Sequence, residues 1–347
     1  MTPAITHSKY RAQLIADNLD HIIHLYNGGL KPALITCQLR GLCQNPEHDP
    51  DLKFLLAQHI RNAIALYRTQ ELAGRTPLQF LYDQLKDPSL GFFFRDTRDQ
   101  EGRLTGLSSH RAPASSFGSV IRMSSFGLYV QDQPVRMPLL NVCGSTAEKM
   151  TFSIAAVFLS GEAEPHYRWS LQCLLELAEE EGIPMPRVIV TDRELALMKA
   201  IVSFPALRLV ICLLCRWHVN KNVLANCKAY FPKAKRDDKN RVIRDPKFTT
   251  FLKEWHSLVN APDEAAYEQR LQTFKEPGRH PEAAIAYAVN TWLDRWKEKI
   301  VLCFVNRVRH LGHTTTSIVE GMHASMKRFL WTSTGDLTSV FQRFKAF

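Results

Sequence analysis

Apolar residues recur at helical spacing through the first part of the chain. From Tyr10 to Tyr26, the residues Leu14, Ile15, Leu19, Ile22, Ile23 and Tyr26 fall on one side of a helix, and Asn27-Gly28-Gly29 stops the run. A second helix is predicted from Pro32 to about Gly41. After the turn-rich stretch 44–50, a third runs from Leu52 to about Leu72 and a short fourth from Thr76 to Leu85. Two helices joined by a Gly-rich turn near basic residues read first as a small helical bundle, with a DNA-binding module as the lesser alternative.

From Pro138 the texture changes. Leu139–Val142, Thr151–Leu159, Arg187–Thr191 and Ala206–Leu214 are short apolar or β-branched runs that predict strands. Amphipathic helices are predicted from about His166 to Glu181 and from Trp217 to Cys227. This alternation predicts an α/β fold built on one mixed sheet. A charged, strand-poor connector over 231–246 leads to helices Phe248–Val259, Glu264–Phe274 and Pro281–Ile300, which carry Trp255, Trp292 and Trp296. No internal repeat or low-complexity tract interrupts the pattern.

With 347 residues, 45% hydrophobic and 22% charged, two or three globular units are expected, and collagen-like or wholly disordered chains are excluded. Lys and Arg number 44 against 34 Asp and Glu, a formal charge of +10 that favours polyanionic partners, nucleic acid first. No apolar run is long enough to span a membrane, and the start lacks a charged segment followed by an apolar one, so an intracellular chain without membrane contact is expected. The 8 cysteines are scattered, which makes reduced thiols the expectation.

Three places carry candidate chemistry. Val188-Ile-Val-Thr-Asp192-Arg-Glu194 sets a carboxylate at the end of a buried strand, where ligands gather in open α/β sheets. The same letters also read as a Thr191/Glu194 capping box with Asp192 as decoration. Ser317 and Glu320 allow a similar pair of readings at the start of the last helix, a capping box or a metal ligand, with His323 one turn on and Lys327 and Arg328 further along where phosphates can be met. Cys215-Arg-Trp-His218 has a spacing able to chelate zinc, with Cys212 and Cys227 as the nearest supplements to an incomplete set; packing is the alternative. Cys37, Cys43 and His48 make a weaker case of the same kind.

The run Pro184-Met-Pro-Arg-Val-Ile-Val-Thr-Asp192-Arg-Glu-Leu-Ala-Leu-Met-Lys-Ala200, followed by Cys215-Arg-Trp-His218-Val-Asn-Lys-Asn222, resembles the core of the Mutator-like (MULE) transposases, especially fungal ones. Met137–Ser145, Phe158–Glu162, Arg75-Thr-Pro77 and Val319-Glu320-Gly-Met-His-Ala324 extend the resemblance over nearly the whole chain in the family's order. The resemblance implies an RNase H-like mixed α/β fold with a DDE triad (Asp-Asp-Glu) and two divalent ions, Mg²⁺ or Mn²⁺, that activate water or a DNA 3′ hydroxyl. Carried across, Asp192 matches the second acid and Glu320 the third, and both become metal ligands; Cys215 and His218 match the Cys-x-x-His signature. Zinc stays a secondary expectation. The domains then read as a helical N-terminal region (1–106), a degenerate segment (107–136), an RNase H-like core (137–228), a helical insertion (229–310) and a final core helix (311–347).

The first acid is missing. The family wording Asp-Cys-Thr-Tyr-Lys-Thr-Asn-Arg falls opposite Leu128–Val135, and Asp132 comes about five residues late, a shift that changes its face and height on a strand, so it is at best a weak substitute. Written as GAC TGT ACG TAC AAG ACC AAC CGG TT and read from the third base, the family wording gives Leu-Tyr-Val-Gln-Asp-Gln-Pro-Val, which is Leu128–Val135. A segment that starts just after Gly106 and ends at Val135 therefore reads as out-of-frame translation, and the sheet is expected to lack its first strand. The absence of the zinc finger that often precedes this core, and the early stop at Phe347, predict a fragment-like member.

The expectation is a nuclear, transposase-derived protein that binds transposon DNA, in the family as homo-oligomers on transposon ends during DNA recombination, with impaired catalysis. The alternative is a transposase-derived transcription regulator that binds DNA without cutting. Lys233, Lys235, Arg236, Lys239, Arg241 and Arg244 in the connector, with Lys327 and Arg328, are the candidate phosphate contacts; a merely solvated loop is the competing reading.

Overall fold

The computed structural model describes residues 7–42, 48–111, 120–127, 129–130, 137–145, 151–233, 235–236, 242–243, 245–308, 310 and 334–335. In chain order, the first elements are helices α1 (Ser8–Asp17), α2 (Leu19–Asn27), α3 (Pro32–Leu42), α4 (Ala57–Leu72) and α5 (Pro77–Lys86). Strands β1 (Phe92–Arg98), β2 (Leu104–Arg111), β3 (Val120–Gly127), β4 (Tyr129–Val130), β5 (Pro138–Ser145) and β6 (Thr151–Leu159) follow. Next come α6 (Glu164–Glu180), β7 (Val188–Thr191), α7 (Leu195–Ser203), β8 (Ile211–Leu214) and α8 (Arg216–Cys227). Short strands β9 (Lys235–Arg236) and β10 (Val242–Ile243) precede α9 (Pro246–Val259), α10 (Glu264–Phe274), α11 (Glu282–Ala288), α12 (Asp294–Ile300), α13 (Leu302–Val305) and β11 (Thr334–Gly335). The chain forms two compact units.

The first unit holds α1 to α5 and the parallel pair β4/β11. Its helices bury Ile22, Ile35, Leu39, Leu52, Ile60 and Ile64 in one core. The single helix expected over Tyr10–Tyr26 is two helices, because Asn18 ends the first: its side-chain amide donates to the Leu14 carbonyl at 2.9 Å and its N–H to Ile15 at 3.2 Å. The helix expected from Leu52 starts at Ala57, after a 3-10 turn capped by the Asp49 carboxylate and an extended Leu55-Leu56. At α5, Thr76 and Gln79 form the reciprocal capping box.

The second unit is a mixed α/β layer structure around a seven-stranded sheet in the order β1-β2-β6-β5-β3-β7-β8. β2/β6 and β5/β6 pair antiparallel, β3/β7 and β7/β8 parallel. Two sequence expectations are corrected here. The region read as helical to residue 106 ends in the β1–β2 hairpin, turned at Asp99, whose carboxylate accepts from the N–H groups of Glu101 and Arg103 at 3.1 and 2.8 Å. The sheet also keeps a strand in the central place expected to be empty: β3, which falls within the segment read as out of frame, lies beside β7 with Met123 in register with Thr191. Ile121 and Met123 bury on the same side as Ile189, and that alternation is enough to hold a strand in a sheet already built by its neighbours.

Helix α6 covers that face with Tyr167, Leu171, Leu174 and Leu177. Gly106 on β2 admits the Trp169 ring, since a Cβ there would come within 2.6 Å of it. The strand expected over Ala206–Leu214 is limited to β8, because Pro205 opens a 3-10 turn through Leu207. The connector, expected to be strand-poor, pairs β9 with β10 antiparallel. Helices α9 to α13 pack Phe248, Phe251, Trp255, Tyr267, Phe274 and Trp292 into a core shared with Val219, Val223 and Cys227 of α8. Among the described residues no helix is long and apolar enough to cross a membrane.

Candidate functional site

Strand β7 buries all four of its side chains, as a β-branched run between two parallel neighbours must, and delivers Asp192 at its carboxyl end. The Thr191/Glu194 capping box does not form. Thr191 stays in the strand, where its carbonyl accepts from the Cys215 N–H at 2.7 Å, and Glu194 alone caps α7 by accepting from Ala196 N–H at 3.2 Å. Asp192 is thereby left outside the helix start. Its Oδ1 is buried and has no hydrogen-bond partner among the described residues. Burial, with the charges of Glu194 and Glu162, pushes the Asp192 carboxyl up to about 6.

Cys215 caps the next helix. Its sulfur accepts from the His218 N–H at 3.4 Å, so the Cys-x-x-His spacing is that of an N-cap and the third residue of the turn. The sulfur is buried, and the imidazole one turn on lies edge to face with Trp217 at 4.8 Å. Burial, then the Lys221 charge, lowers the His218 pKa from its ordinary value, so the ring is neutral at pH 7.

Asp192, Arg193 and Glu194 on the β7 side and His218 and Lys221 on α8 line one cleft of about 450 Å³, which Trp292 also borders. Trp292 reaches it from a π-turn, Val289–Leu293, that interrupts the helix expected over Pro281–Ile300 and re-aims the side chains of that turn. The Arg193 guanidinium sits 4.6 Å from the Trp292 ring, and the Lys221 ammonium 4.5 Å from Trp217. Helix α8 is tied to the helical block by polar bonds: Trp255 Nε1 donates to Asn220 at 2.9 Å, Tyr287 to Asn222 at 2.5 Å, and buried Arg216 to Asn260.

Asp192 and His218, expected from sequence, thus line one cleft, and Cys215 caps the helix that carries His218. Arg193, Lys221 and Trp292 were not foreseen; a Trp and a Lys four apart on one helix face was the available signal for Lys221. Lys233 is exposed, and Lys235 and Arg236 form β9. Glu320, Asp132, Lys239, Arg241, Arg244, Lys327 and Arg328 lie outside the described residues.

A divalent ion prefers anionic oxygen donors, and the orphaned Asp192 Oδ1 fits one such ligand. Among the described residues no group of three or more His, Cys, Asp or Glu side chains converges to hold a metal. The described donors therefore offer a foothold for one ion and do not by themselves make a two-ion clamp. For zinc, Cys227 is engaged with the Ala284 carbonyl at 3.8 Å and Cys212 with Val210 at 4.0 Å, both away from Cys215.

Residues 129–222, from β4 to Asn222 of α8, match the family model of the MULE transposase domain. Over 211 residues the chain is 28% identical to a PKS-NRPS hybrid synthetase, cheA, of Chaetomium globosum, a similarity covering 56% of this chain and 4% of that relative. The chain therefore spans a small part of the relative's length. The stretch that matches the MULE transposase domain contains Asp192, Cys215 and His218.

Proposed function

We propose that this transposase-derived chain binds duplex DNA in the nucleus through an RNase H-like core whose phosphodiester chemistry is impaired. The observation that carries the proposal is β3. It lies between β5 and β7 in the sheet, in parallel register against β7, whose end bears Asp192. In open α/β sheets ligands bind beyond the carboxyl ends of the strands. Yet β3 reads Val-Ile-Arg-Met-Ser-Ser-Phe-Gly, with no carboxylate to stand beside Asp192.

Asp192 supplies an anionic oxygen at the cleft floor, and Glu320 is the second metal ligand assigned by the family resemblance. A bound Mg²⁺ or Mn²⁺ would supply Lewis acidity toward a phosphodiester and its attacking oxygen. Neutral His218 offers a ring nitrogen that can orient a water or a phosphate oxygen without adding charge. Without a first acid the charge around two ions is left short. The connector cations and Lys327 and Arg328 add phosphate contacts that set strength rather than sequence preference, and the homo-oligomer on transposon ends belongs to the same reading.

The test is metal-dependent nicking of duplex DNA by the chain and by Asp192→Asn. Neither is expected to cut, while both bind DNA with an affinity that falls steeply with salt. Cleavage by the parent that the variant loses would sink the impaired-catalysis reading and point to another carboxylate, Asp132 first. The regulator alternative shares the DNA grip and differs in history: it gains if no one-base or two-base change in codons 107–136 restores the Asp-Cys-Thr-Tyr wording.

A further inference from the structure

We infer that Arg193 and Lys221 form a phosphate grip for the DNA backbone on the two walls of the Asp192 cleft, each cation braced on an indole face. The inference rests on the DNA-binding reading and assigns it two residues that composition and connector charge do not single out. Arg193 lies over Trp292 at 4.6 Å and Lys221 over Trp217 at 4.5 Å, and both side chains line the same cleft and are exposed. Among the described residues neither makes an ion pair with a carboxylate, although Glu194 lines the same cleft.

Three physical effects favour such a grip. A long cation normally loses rotamer freedom when it meets a phosphate, and a side chain already held on a ring has less to lose. The ring takes up the apolar face of the guanidinium or the stem of the lysine and leaves the N–H donors for an anion. Finally, two cations that are unpaired among the described residues stand on the walls of a cleft that Asp192, Glu194 and His218 also line, an arrangement that suits an extended anion gripped from both walls, which describes a phosphodiester backbone better than a single small anion. Trp292 is a positioning residue here: it acts through Arg193, and the π-turn puts it there.

The experiment compares the full chain with the double variant Arg193→Gln/Lys221→Gln and with the charge-retaining pair Arg193→Lys/Lys221→Arg. Binding to a duplex DNA oligonucleotide is followed by fluorescence anisotropy as salt rises. Each lost phosphate contact removes about 0.9 from the slope of log affinity against log salt, so the neutral pair should lose about 1.8. Between about 50 mM and about 200 mM salt the parent should then lose about tenfold more affinity than the neutral variant. The charge-retaining pair should keep the parent slope. A neutral variant with the parent slope overturns the grip and leaves the DNA reading standing. A parent that fails to bind DNA at low salt overturns the DNA reading and the grip with it. If the slope changes on an RNA duplex of equal length and not on DNA, the assignment to DNA is wrong.

Discussion

Strands β3 and β7 lie side by side in parallel register, from Val120 opposite Val188 to Met123 opposite Thr191, and they share one buried apolar face while differing in the residues at their carboxyl ends. β7 is a short β-branched run, fully buried, whose next residue is a candidate metal ligand. β3 carries Arg122, Ser124 and Ser125 and no carboxylate, and the stretch set opposite the family wording, 128–135, follows directly after it. The pair teaches how differently a sheet and an active site respond to sequence change. A parallel ladder needs extended backbone and alternate apolar side chains, which Ile121 and Met123 supply. A metal pocket needs a carboxylate at one position, and no general property of a strand replaces it. The family match begins at residue 129, just past the end of β3.

The strongest way to break this contrast is to restore the frame over residues 107–136. Metal-dependent nicking should then appear where the parent shows none, and Asp192→Asn in the restored chain should abolish it. A smaller step in the same direction is Ser124→Asp, one residue past the Met123–Thr191 pair, which should raise Mn²⁺ affinity measured by calorimetry; unchanged affinity would argue that β3 ends too far from Asp192.

Next in size is the anchoring of the opposite wall. Trp255 is fully buried in the helical block and bonded to Asn220 of α8, so Trp255→Ala should cost about 4 kcal/mol in denaturant unfolding. A cost near zero would mean that α8 stands without the block.

Asp192 gives a pH test. Its carboxyl is raised from 3.8 to about 6 in the folded chain, so the folded state binds its proton more tightly than the unfolded one. The stabilisation tied to that proton is present below about pH 4 and is lost as pH rises through about 6. Asp192→Asn should therefore be more stable than the parent at pH 7, by about 3 kcal/mol, and nearly equal at pH 3.5. A difference of the opposite sign would show Asp192 ionised and well partnered.

The smallest effect is expected at the helix cap. Cys215→Ala should cost about 1 kcal/mol through loss of the sulfur that accepts the His218 N–H, and Cys215→Ser should recover part of it. One tightly held zinc in the purified protein, lost on Cys215→Ser, would replace the capping account.

Periodicity made several elements legible. β6 coincides with the predicted Thr151–Leu159, β7 lies within Arg187–Thr191, and α9 and α10 span the predicted helices, because the first three carry strong apolar runs or faces of their own and Asp263 caps the start of α10. The motif wording also led to Asp192, Cys215 and His218. What misled was local chemistry whose outcome depends on neighbours. Thr191 and Glu194 have capping-box spacing, yet parallel pairing of Thr191 with Met123 and Leu214 holds it in the sheet and moves the helix start to Leu195.

The sequence by itself determined the apolar periods, the acid at the end of β7 and the want of one in β3, since these are matters of which residue stands at which position. Only the tertiary structure decided that β3 would be a strand at all, because its hydrogen bonds are made by β5 and β7 and not within the segment. It alone also brought Trp292 to Arg193: a π-turn re-aims one side chain by a local change of winding, and a contact between residues so far apart along the chain leaves no periodic trace in either.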